Sequence, residues 1–327
     1  MNIIVTGGFG YIGSHICLEL IRNSYIPIVI DISKDSKKIN KLIFNLTGYK
    51  IKHYNFDLSK KNIDKVFQEN KVDAIIHLAA FKYVNESVQY PLSYYRNNIM
   101  STINILESMN KFNVRNLIFS SSATVYGDSK NQPLKETERL KDINPYGATK
   151  IICEQIITDY LKSNTQFRCI SLRYFNPIGA DKSGKIKEFI KSNSQNIMPK
   201  LIECAKSNKT FKIFGNKFRT KDGTCIRDYI HVSDLALAHI ESLKKIKKFK
   251  SHKFFNVGTN KGYTVLELIN TFEKANNIKI NYKFTKPRKG DSPICFANST
   301  KIKKELKWKP KYNLDDMCKD SWNAEID

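Results

Sequence analysis

In the first 175 residues, short apolar runs rich in β-branched residues alternate with longer stretches whose apolar positions recur at helical spacing. Six runs have the length of strands: 2–6, 26–31, 51–56, 74–80, 116–121 and 167–174. Four intervening segments have the periodicity of helices: 11–23, 62–69, 92–110 and 146–161. Strands that alternate with helices of about 10–15 residues form parallel sheets covered by helices on both faces. The pattern predicts an α/β fold with a doubly wound parallel sheet, whose ligand site lies beyond the carboxyl ends of the strands.

The periodicity weakens after residue 176. Residues 181–196 are polar with little repeat, and the later predicted elements are short. They are a strand at 228–232 that leads into a helix at 234–244, a strand at 254–257 and a helix at 264–276. We therefore expect a second, smaller domain of mixed α/β structure. The predicted domains are residues 1–176 and 177–327, with some segments interleaved between them.

The composition is that of a folded chain without a membrane span. Of the 327 residues 41% are hydrophobic, and no apolar run reaches the roughly 18 residues that a membrane helix needs. The amino terminus leads directly into a glycine turn and lacks the segments of a secretory signal. The seven cysteines are odd in number and never spaced C-x-x-C, which is typical of a reducing compartment. These features predict a cytoplasmic protein without a metal site.

The net charge of +24 is compatible with an anionic partner. The lysines, however, occur in small clusters over the whole chain, without interleaved aromatic residues on which bases could stack. We therefore expect a generally basic surface, some of whose charge serves a phosphate-bearing ligand, and no nucleic-acid partner.

The most specific local signal is T-G-G-F-G-Y-I-G at residues 6–13, between the first predicted strand and the first predicted helix. Gly7 and Gly10 allow a sharp turn whose N–H groups approach a pyrophosphate, and Gly13 lets the helix pack close to the strand. The helix N-terminus offers unpaired N–H groups and a positive dipole end to the anion. Asp31 ends the second strand, where a carboxylate binds an adenosine ribose and repels a 2′-phosphate. The combination predicts a dinucleotide site that prefers NAD to NADP.

Tyr146 and Lys150 lie four residues apart at the start of a predicted helix, and hence on one face of it. The spacing alone is weak evidence, because this lysine-rich chain contains it three times. Only Tyr146 opens a helix directly after the fifth predicted strand, beside the expected cleft. A nearby ammonium and a positive nicotinamide ring both favour the phenolate, so we expect a lowered pKa that makes Tyr146 an acid and base near neutral pH.

The hydroxyl-rich segment S-S-S-A-T-V-Y-G at residues 120–127 follows the fifth predicted strand. Hydroxyls at this position can bind a substrate hydroxyl or keto oxygen, and they can equally satisfy the backbone of a polar turn.

These segments are followed by N-P-Y-G at 144–147, L-R-Y-F-N-P at 172–177, D-G-T at 222–224 and I-R-D-Y-I-H-V at 226–232. In this order they resemble the NAD-dependent epimerase/dehydratase branch of the extended short-chain dehydrogenase/reductase family, over nearly the whole chain. The resemblance implies that 1–176 is a Rossmann domain that binds NAD and that 177–327 binds a nucleotide sugar.

The resemblance also implies roles for individual residues. Tyr146 is the acid and base, Lys150 binds the nicotinamide ribose and tunes Tyr146, and Ser122 hydrogen-bonds the sugar O4. The residues implied around NAD are Gly7, Gly10, Tyr11, Ile12, Gly13, Asp31, Asp57, Leu58, Lys82, Asn97, Tyr146, Lys150 and Tyr174. The residues implied around the UDP-sugar are Ser122, Tyr146, Asn176, Asn196, Arg227, Arg288, Asp291 and Cys295. The two arginines are expected on the pyrophosphate, which suits their fork of donors, and Asp291 near the uridine ribose.

The implied reaction is an isomerisation of UDP-galactose and UDP-glucose through a 4-keto intermediate. Tyr146 takes the 4-hydroxyl proton while hydride passes from C4 to NAD, and the hydride returns to the opposite face of the sugar. Cys295 stands where some relatives have a bulky tyrosine, so N-acetylated UDP-hexosamines are expected to fit as well. The resemblance further implies a homodimer packed through helices 92–110 and 146–161.

Three alternatives remain open. A 4,6-dehydratase on the same scaffold would need a carboxylate pair directly after Ser122, where this chain has Ala123 and Thr124. Another nucleotide-sugar epimerase or reductase would use the same set of residues. A non-catalytic NAD- or RNA-binding protein would have no need for Tyr146, Lys150 and Ser122 together.

Overall fold

The computed structural model describes residues 1–60, 63–190, 196–288 and 292–326. The strands are β1 Asn2–Thr6, β2 Ile26–Ile30, β3 Lys52–Tyr54, β4 Ala74–His77, β5 Asn116–Ser122, β6 Arg168–Tyr174, β7 Asn176–Ile178, β8 Phe211–Phe214, β9 Ile226–Arg227, β10 Tyr229–His231, β11 Lys253–Val257, β12 Tyr263–Thr264, β13 Tyr282–Thr285 and β14 Ile294–Cys295. The α-helices are α1 Tyr11–Arg22, α2 Ser36–Thr47, α3 Asp64–Gln68, α4 Val84–Gln89, α5 Pro91–Lys111, α6 Pro145–Ser163, α7 Ile197–Ser207, α8 Val232–Lys245, α9 Val265–Asn276, α10 Thr300–Leu306 and α11 Leu314–Ile326. Two 3₁₀ helices cover Ala123–Tyr126 and Ile246–Lys248.

Seven parallel strands form the central sheet, in the order β11-β6-β5-β4-β1-β2-β3. The strand order reverses at β1, which pairs with β2 on one side and with β4 on the other. Three small sheets, β10-β7, β12-β9-β14 and β13-β8, lie outside it. The predicted α/β fold with a doubly wound parallel sheet is confirmed, and the crevice beyond β1 is where such sheets bind ligands.

Each face of the central sheet has its own apolar core, because successive side chains of a strand point to opposite faces. Ile3 and Val5 of β1 belong to a cluster with residues of α1, α2, α8 and α10. Ile4, which lies between them, belongs to a second cluster with residues of α3, α5 and α6. A third cluster joins α7, α9 and α11 to β8 and β10, outside the central sheet.

β11 corrects the prediction for the second half of the chain. The pattern assigned a strand at 254–257 to the smaller domain, whereas Lys253–Val257 pairs in parallel with β6 as the seventh strand of the central sheet. Helix α8 packs on α1 and β5, so α8 and β11 continue the βαβ order beyond residue 176. The two regions are therefore interleaved along the chain, and residue 176 as a domain boundary stays a prediction.

Several element bounds also differ from those predicted. β3 and β4 end before residues 56 and 80, because the chain leaves the sheet there and lines a cleft at its carboxyl edge. Helix α2 is absent from the predicted elements, although Ile39, Leu42, Ile43 and Leu46 recur at helical spacing and pack in the core or against it. None of the described helices is long and apolar enough to cross a membrane.

A buried ion pair joins α6 to β6. The side chains of Arg173 and Glu154 are each 3% exposed, and the guanidinium donates to both carboxylate oxygens, at 3.0 and 2.7 Å. Arg173 Nη1 also donates to the Tyr126 hydroxyl at 3.0 Å, and that hydroxyl donates to Asn256 Oδ1 at 2.6 Å. Removing one partner of such a pair leaves an uncompensated buried charge.

We predict that Glu154→Gln lowers the free energy of unfolding by about 3–5 kcal/mol, because Arg173 keeps its charge and loses its partner. Asp159→Asn is the matched control on the same helix: Asp159 pairs with Lys162 through side chains that are 56% and 70% exposed. Its effect should stay below about 1 kcal/mol. Urea unfolding followed by circular dichroism measures both values, and equal losses in the two variants would contradict the assigned role of the buried pair.

Candidate active site

The glycine turn connects β1 to α1. Gly7 has φ +67°, and a Cβ at Gly13 would lie 2.2 Å from the Gly7 carbonyl oxygen, so both positions require glycine. Gly10 N donates back to Gly7 O at 3.1 Å and closes the turn. The first turn of α1 has no acidic residue and no side-chain cap. Its N–H groups and positive dipole end are therefore available to an anion.

Asp31 follows β2 and is held against this turn. Its carboxylate accepts hydrogen bonds from Phe9 N at 2.8 Å and from Ser33 N at 2.7 Å. A carboxylate fixed at the end of the second strand can accept hydrogen bonds from a ribose diol.

A cleft of about 410 Å³ extends from the glycine turn to the start of α6. All thirteen residues that the resemblance implies around NAD line it: Gly7, Gly10, Tyr11, Ile12, Gly13, Asp31, Asp57, Leu58, Lys82, Asn97, Tyr146, Lys150 and Tyr174. The uncapped N-terminus of α1 suits a pyrophosphate, and Asp31 suits the ribose beside it. The residues present therefore fit a dinucleotide.

The start of α6 positions the predicted acid and base. Asn144 caps the helix by accepting a hydrogen bond from Gly147 N at 2.8 Å, and Pro145 occupies the first helical position. Both residues fix where the helix begins. Tyr146 and Lys150 consequently lie one turn apart on the same face.

Lys150, Tyr146 and Ser122 meet at the carboxyl end of β5. Lys150 Nζ donates to Ser120 O at 2.6 Å and lies 5.9 Å from the centre of the Tyr146 ring. The Ser122 hydroxyl oxygen accepts hydrogen bonds from Thr124 N and Oγ1, at 3.2 and 2.9 Å. Ser122 also opposes the raised pKa of Tyr146, so the two side chains lie near each other. The three residues singled out as catalytic are thus brought together.

The lowered pKa expected for Tyr146 beside both an ammonium and a nicotinamide ring stays a prediction, because burial in the chain itself shifts this pKa upwards. Burial raises the pKa of Tyr146 to about 12, although Ser122 opposes the shift. Burial also lowers the pKa of Lys150 to about 8. Loss of hydration thus disfavours the charged form of both side chains. A phenolate at neutral pH requires a further positive charge in the cleft, such as an oxidised nicotinamide ring.

Three of the residues implied around the sugar lie on the small sheets. Asn176 begins β7, and its N–H donates to Asp228 O at 3.0 Å. Arg227 on β9 is in register with Cys295 on β14, and its Nη1 donates to Ser292 O at 2.8 Å.

Cys295 is partly buried and packs against an apolar cluster whose members include Ala123 and Phe175. These two residues are the chain neighbours of Ser122 and Asn176. Burial raises the pKa of the Cys295 thiol to about 11, so the side chain is a small neutral group at pH 7.

Asn196 is linked to the cofactor side through a residue that the motifs did not indicate. Asn196 Nδ2 donates to Glu188 Oε1 at 2.6 Å, and Lys82 Nζ lies 3.6 Å from the same oxygen. Glu188 belongs to a polar segment without periodicity, so no sequence signal points to it.

The structure gives little information about the last two residues implied around the UDP-sugar, Arg288 and Asp291. Arg288 follows β13, and its guanidinium lies 3.9 Å from the centre of the Phe214 ring. Asp291 lies outside the described residues. A role of Arg288 on the pyrophosphate stays a prediction.

Twelve further residues line the cleft: Ile30, Ile32, Ser33, Phe56, Leu78, Ala79, Ala80, Phe81, Tyr83, Glu86, Ser101 and Ser120. Most of them follow β2, β3 or β4, so the rule that ligands bind beyond the carboxyl ends of parallel strands could have found them.

His239 of α8 could not have been found by this rule, because it lies on a helix and not at the end of a strand. It is buried beneath Tyr174, with Nε2 2.6 Å from the tyrosine hydroxyl, and its sequence context does not distinguish it from a structural core histidine.

Comparison with known proteins gives consistent matches over almost the whole chain. The sequence model of the family GDP-mannose 4,6 dehydratase matches residues 4–321. UDP-glucose 4-epimerase of Bacillus subtilis is 43% identical over 325 residues, which are 98% of this chain and 96% of that protein.

Solved structures are also similar to this chain over nearly its whole length. UDP-glucose-4-epimerase from Stenotrophomonas maltophila, with bound NAD and formylated UDP-arabinopyranose, superimposes with a TM-score of 0.96 at 36% identity, covering 100% of this chain and 98% of that chain. The UDP-Glc/GlcNAc 4-epimerase of Campylobacter jejuni has a TM-score of 0.85 at 35% identity, covering 99% of both chains. Because these similarities extend from end to end and include the fold, the chain belongs to the NAD-dependent epimerase/dehydratase family, in the group of the UDP-glucose 4-epimerases.

Proposed function

We propose that the chain is an NAD-dependent UDP-glucose 4-epimerase, an isomerase that interconverts UDP-galactose and UDP-glucose. The observation that carries this proposal is the catalytic end of the cleft. There Ser122 lies near Tyr146, and Lys150 lies one helical turn away from the tyrosine. The 43% identity to an enzyme of this name over 98% of the chain supports it.

NAD would lie along the cleft and supply a reversible hydride acceptor. The glycine turn would hold its pyrophosphate and Asp31 its adenosine ribose, while Lys150 and Tyr146 would hold the nicotinamide ribose.

The chain's own residues perform the proton chemistry. The Ser122 oxygen accepts two hydrogen bonds from Thr124, so its remaining hydrogen bond is the one its own proton can donate, and the sugar O4 would accept it. Tyr146 accepts the proton of the 4-hydroxyl as that carbon is oxidised, and returns it when the 4-keto sugar is reduced on its other face. Lys150, with a pKa of about 8, stays largely protonated at pH 7 and stabilises the phenolate.

We predict that Tyr146→Phe lowers kcat by about 10²–10⁴-fold, the usual contribution of a general acid and base. Tyr160→Phe is the matched control, since Tyr160 lies on the same helix and its buried hydroxyl has no hydrogen-bond partner among the described residues. Conversion of UDP-galactose followed by NMR measures the rate, and denaturation measures the NAD retained. Full activity of Tyr146→Phe would exclude the proposed acid and base. Loss of its NAD would instead indicate a binding role.

The dehydratase alternative finds no support at the same position. Ala123 and Thr124 follow Ser122, and the Thr124 hydroxyl is occupied by its hydrogen bond to the serine. Neither residue is a carboxylate that could act as the additional acid or base of an elimination.

We further propose that N-acetylated UDP-hexosamines are substrates. Cys295 is small and neutral, and it packs against the apolar cluster to which the chain neighbours of Ser122 and Asn176 belong. The similarity to a UDP-Glc/GlcNAc 4-epimerase supports the proposal.

A larger residue at position 295 should therefore change specificity. We predict that Cys295→Tyr lowers kcat/KM for UDP-N-acetylgalactosamine about 10–200-fold relative to UDP-galactose, the range typical of steric discrimination in a pocket. Cys295→Ser, which conserves the size, should leave the ratio unchanged. If the unmodified enzyme does not turn over the N-acetylated sugar, the proposal is wrong.

We propose a homodimer whose interface includes α4 and α5. Large apolar side chains are exposed there, among them Val88 at 61%, Tyr90 at 61% and Leu92 at 76%. Large exposed apolar side chains that lie together are typical of an interaction surface. The resemblance implies that α6, on which α5 packs within the chain, contributes to the interface as well.

We predict that Val88→Lys combined with Leu92→Lys produces a monomer, because two charges would be buried in the apolar interface. Phe44→Lys on α2, where the phenylalanine is 47% exposed, is the control and should leave the dimer intact. Sedimentation velocity distinguishes the two states. A dimer that persists in the double variant would place the interface elsewhere.

We also propose a cytoplasmic location, with UDP-sugars and not nucleic acid as the ligands. The scattered cysteines and the dispersed lysines support this proposal.

A further inference from the structure

Both ring nitrogens of His239 have defined roles. Nδ1 lies 2.9 Å from the Leu235 carbonyl oxygen, which can only accept, so Nδ1 carries the proton. The ring is fully buried, and burial lowers the pKa of His239 to about 4. The imidazole is therefore neutral at pH 7, and Nε2 is a hydrogen-bond acceptor.

Tyr174 donates to this nitrogen. Its hydroxyl oxygen lies 2.6 Å from His239 Nε2, and the two rings meet edge to face with their centres 5.5 Å apart. A tyrosine hydroxyl has one proton, which is committed to the histidine. The oxygen of Tyr174 can consequently only accept hydrogen bonds from other groups.

Tyr174 lies at the catalytic end of the cleft. Tyr174 lines the cleft together with Tyr146 and Lys150, and it is the in-register neighbour of Ser122. Ser120 lines the same cleft. A tyrosine oxygen whose proton is committed still has lone pairs for a donor on a ligand.

We propose that His239 is a positioning residue for the cofactor: it holds Tyr174 as an obligate acceptor, which selects a pyridine ring whose substituent carries N–H donors, as the carboxamide of NAD does. This inference rests on the proposed function, because it takes NAD as the ligand. A carboxamide has an N–H end and a C=O end. A fixed acceptor distinguishes these two ends and so restricts the rotation of the amide.

The test compares NAD with 3-acetylpyridine adenine dinucleotide, whose acetyl group keeps the carbonyl and lacks N–H donors. Dissociation constants are measured by calorimetric titration of protein freed of bound dinucleotide on charcoal. We expect the unmodified protein to bind NAD about tenfold more tightly than the analogue, as the loss of one hydrogen bond implies.

Variants of Tyr174 and His239 test whether these two residues cause the preference for NAD over the analogue. Tyr174→Phe and His239→Phe should each bring the ratio of the two dissociation constants close to one. His239→Gln should restore it, because the glutamine carbonyl can accept from Tyr174. Tyr229→Phe is the control, since this buried hydroxyl has no partner among the described residues, and it should keep the original ratio.

A purely structural role of His239 would weaken both dinucleotides equally and leave the ratio unchanged, which would overturn the inference. A ratio near one in the unmodified protein would overturn it as well. If the unmodified protein binds neither dinucleotide, the proposed function itself fails. Should His239→Phe not fold, Tyr174→Phe and His239→Gln decide the question.

Discussion

Parallel strand pairing is the constraint on which the site depends. Seven strands run in one direction, so all their carboxyl ends meet at one edge of the sheet. Gly7 follows β1, Asp31 follows β2, Ser122 ends β5 and Tyr174 ends β6. Because both faces are covered by helices, this edge is where side chains can converge on a ligand. A cleft results without any element having to bend away from the core.

Burial of ionisable side chains is the second physical effect on which the site depends. The pKa of Tyr146 is raised to about 12, while those of Lys150 and His239 are lowered to about 8 and 4. In each case the loss of hydration disfavours the charged form. The same dry surroundings keep His239 neutral as an acceptor and leave Tyr146 protonated in the chain alone. The charge of an oxidised cofactor therefore completes the electrostatics that proton abstraction requires.

The catalytic distances depend on a buried polar network behind the site. Glu154 of α6 holds Arg173 of β6, which contacts Tyr126 in the 3₁₀ helix that follows Ser122. Tyr126 in turn donates to Asn256 of β11. The helix that carries Tyr146 and Lys150, the strand that ends in Tyr174 and the turn that follows Ser122 are thus joined by buried hydrogen bonds, which restrict their relative movement.

The sequence by itself determined the local parts: the glycine turn, the carboxylate of Asp31, the helical spacing of Tyr146 and Lys150, and the strand–helix order that brings them to one edge. These depend on backbone conformation and on periodicity, which neighbouring residues encode. Only the tertiary structure decided that β11 joins the central sheet, that Glu188 links two ligand regions, that His239 lies beneath Tyr174 and that the pKa of Tyr146 rises. These results depend on contacts between distant residues and on the loss of hydration, which no local pattern records.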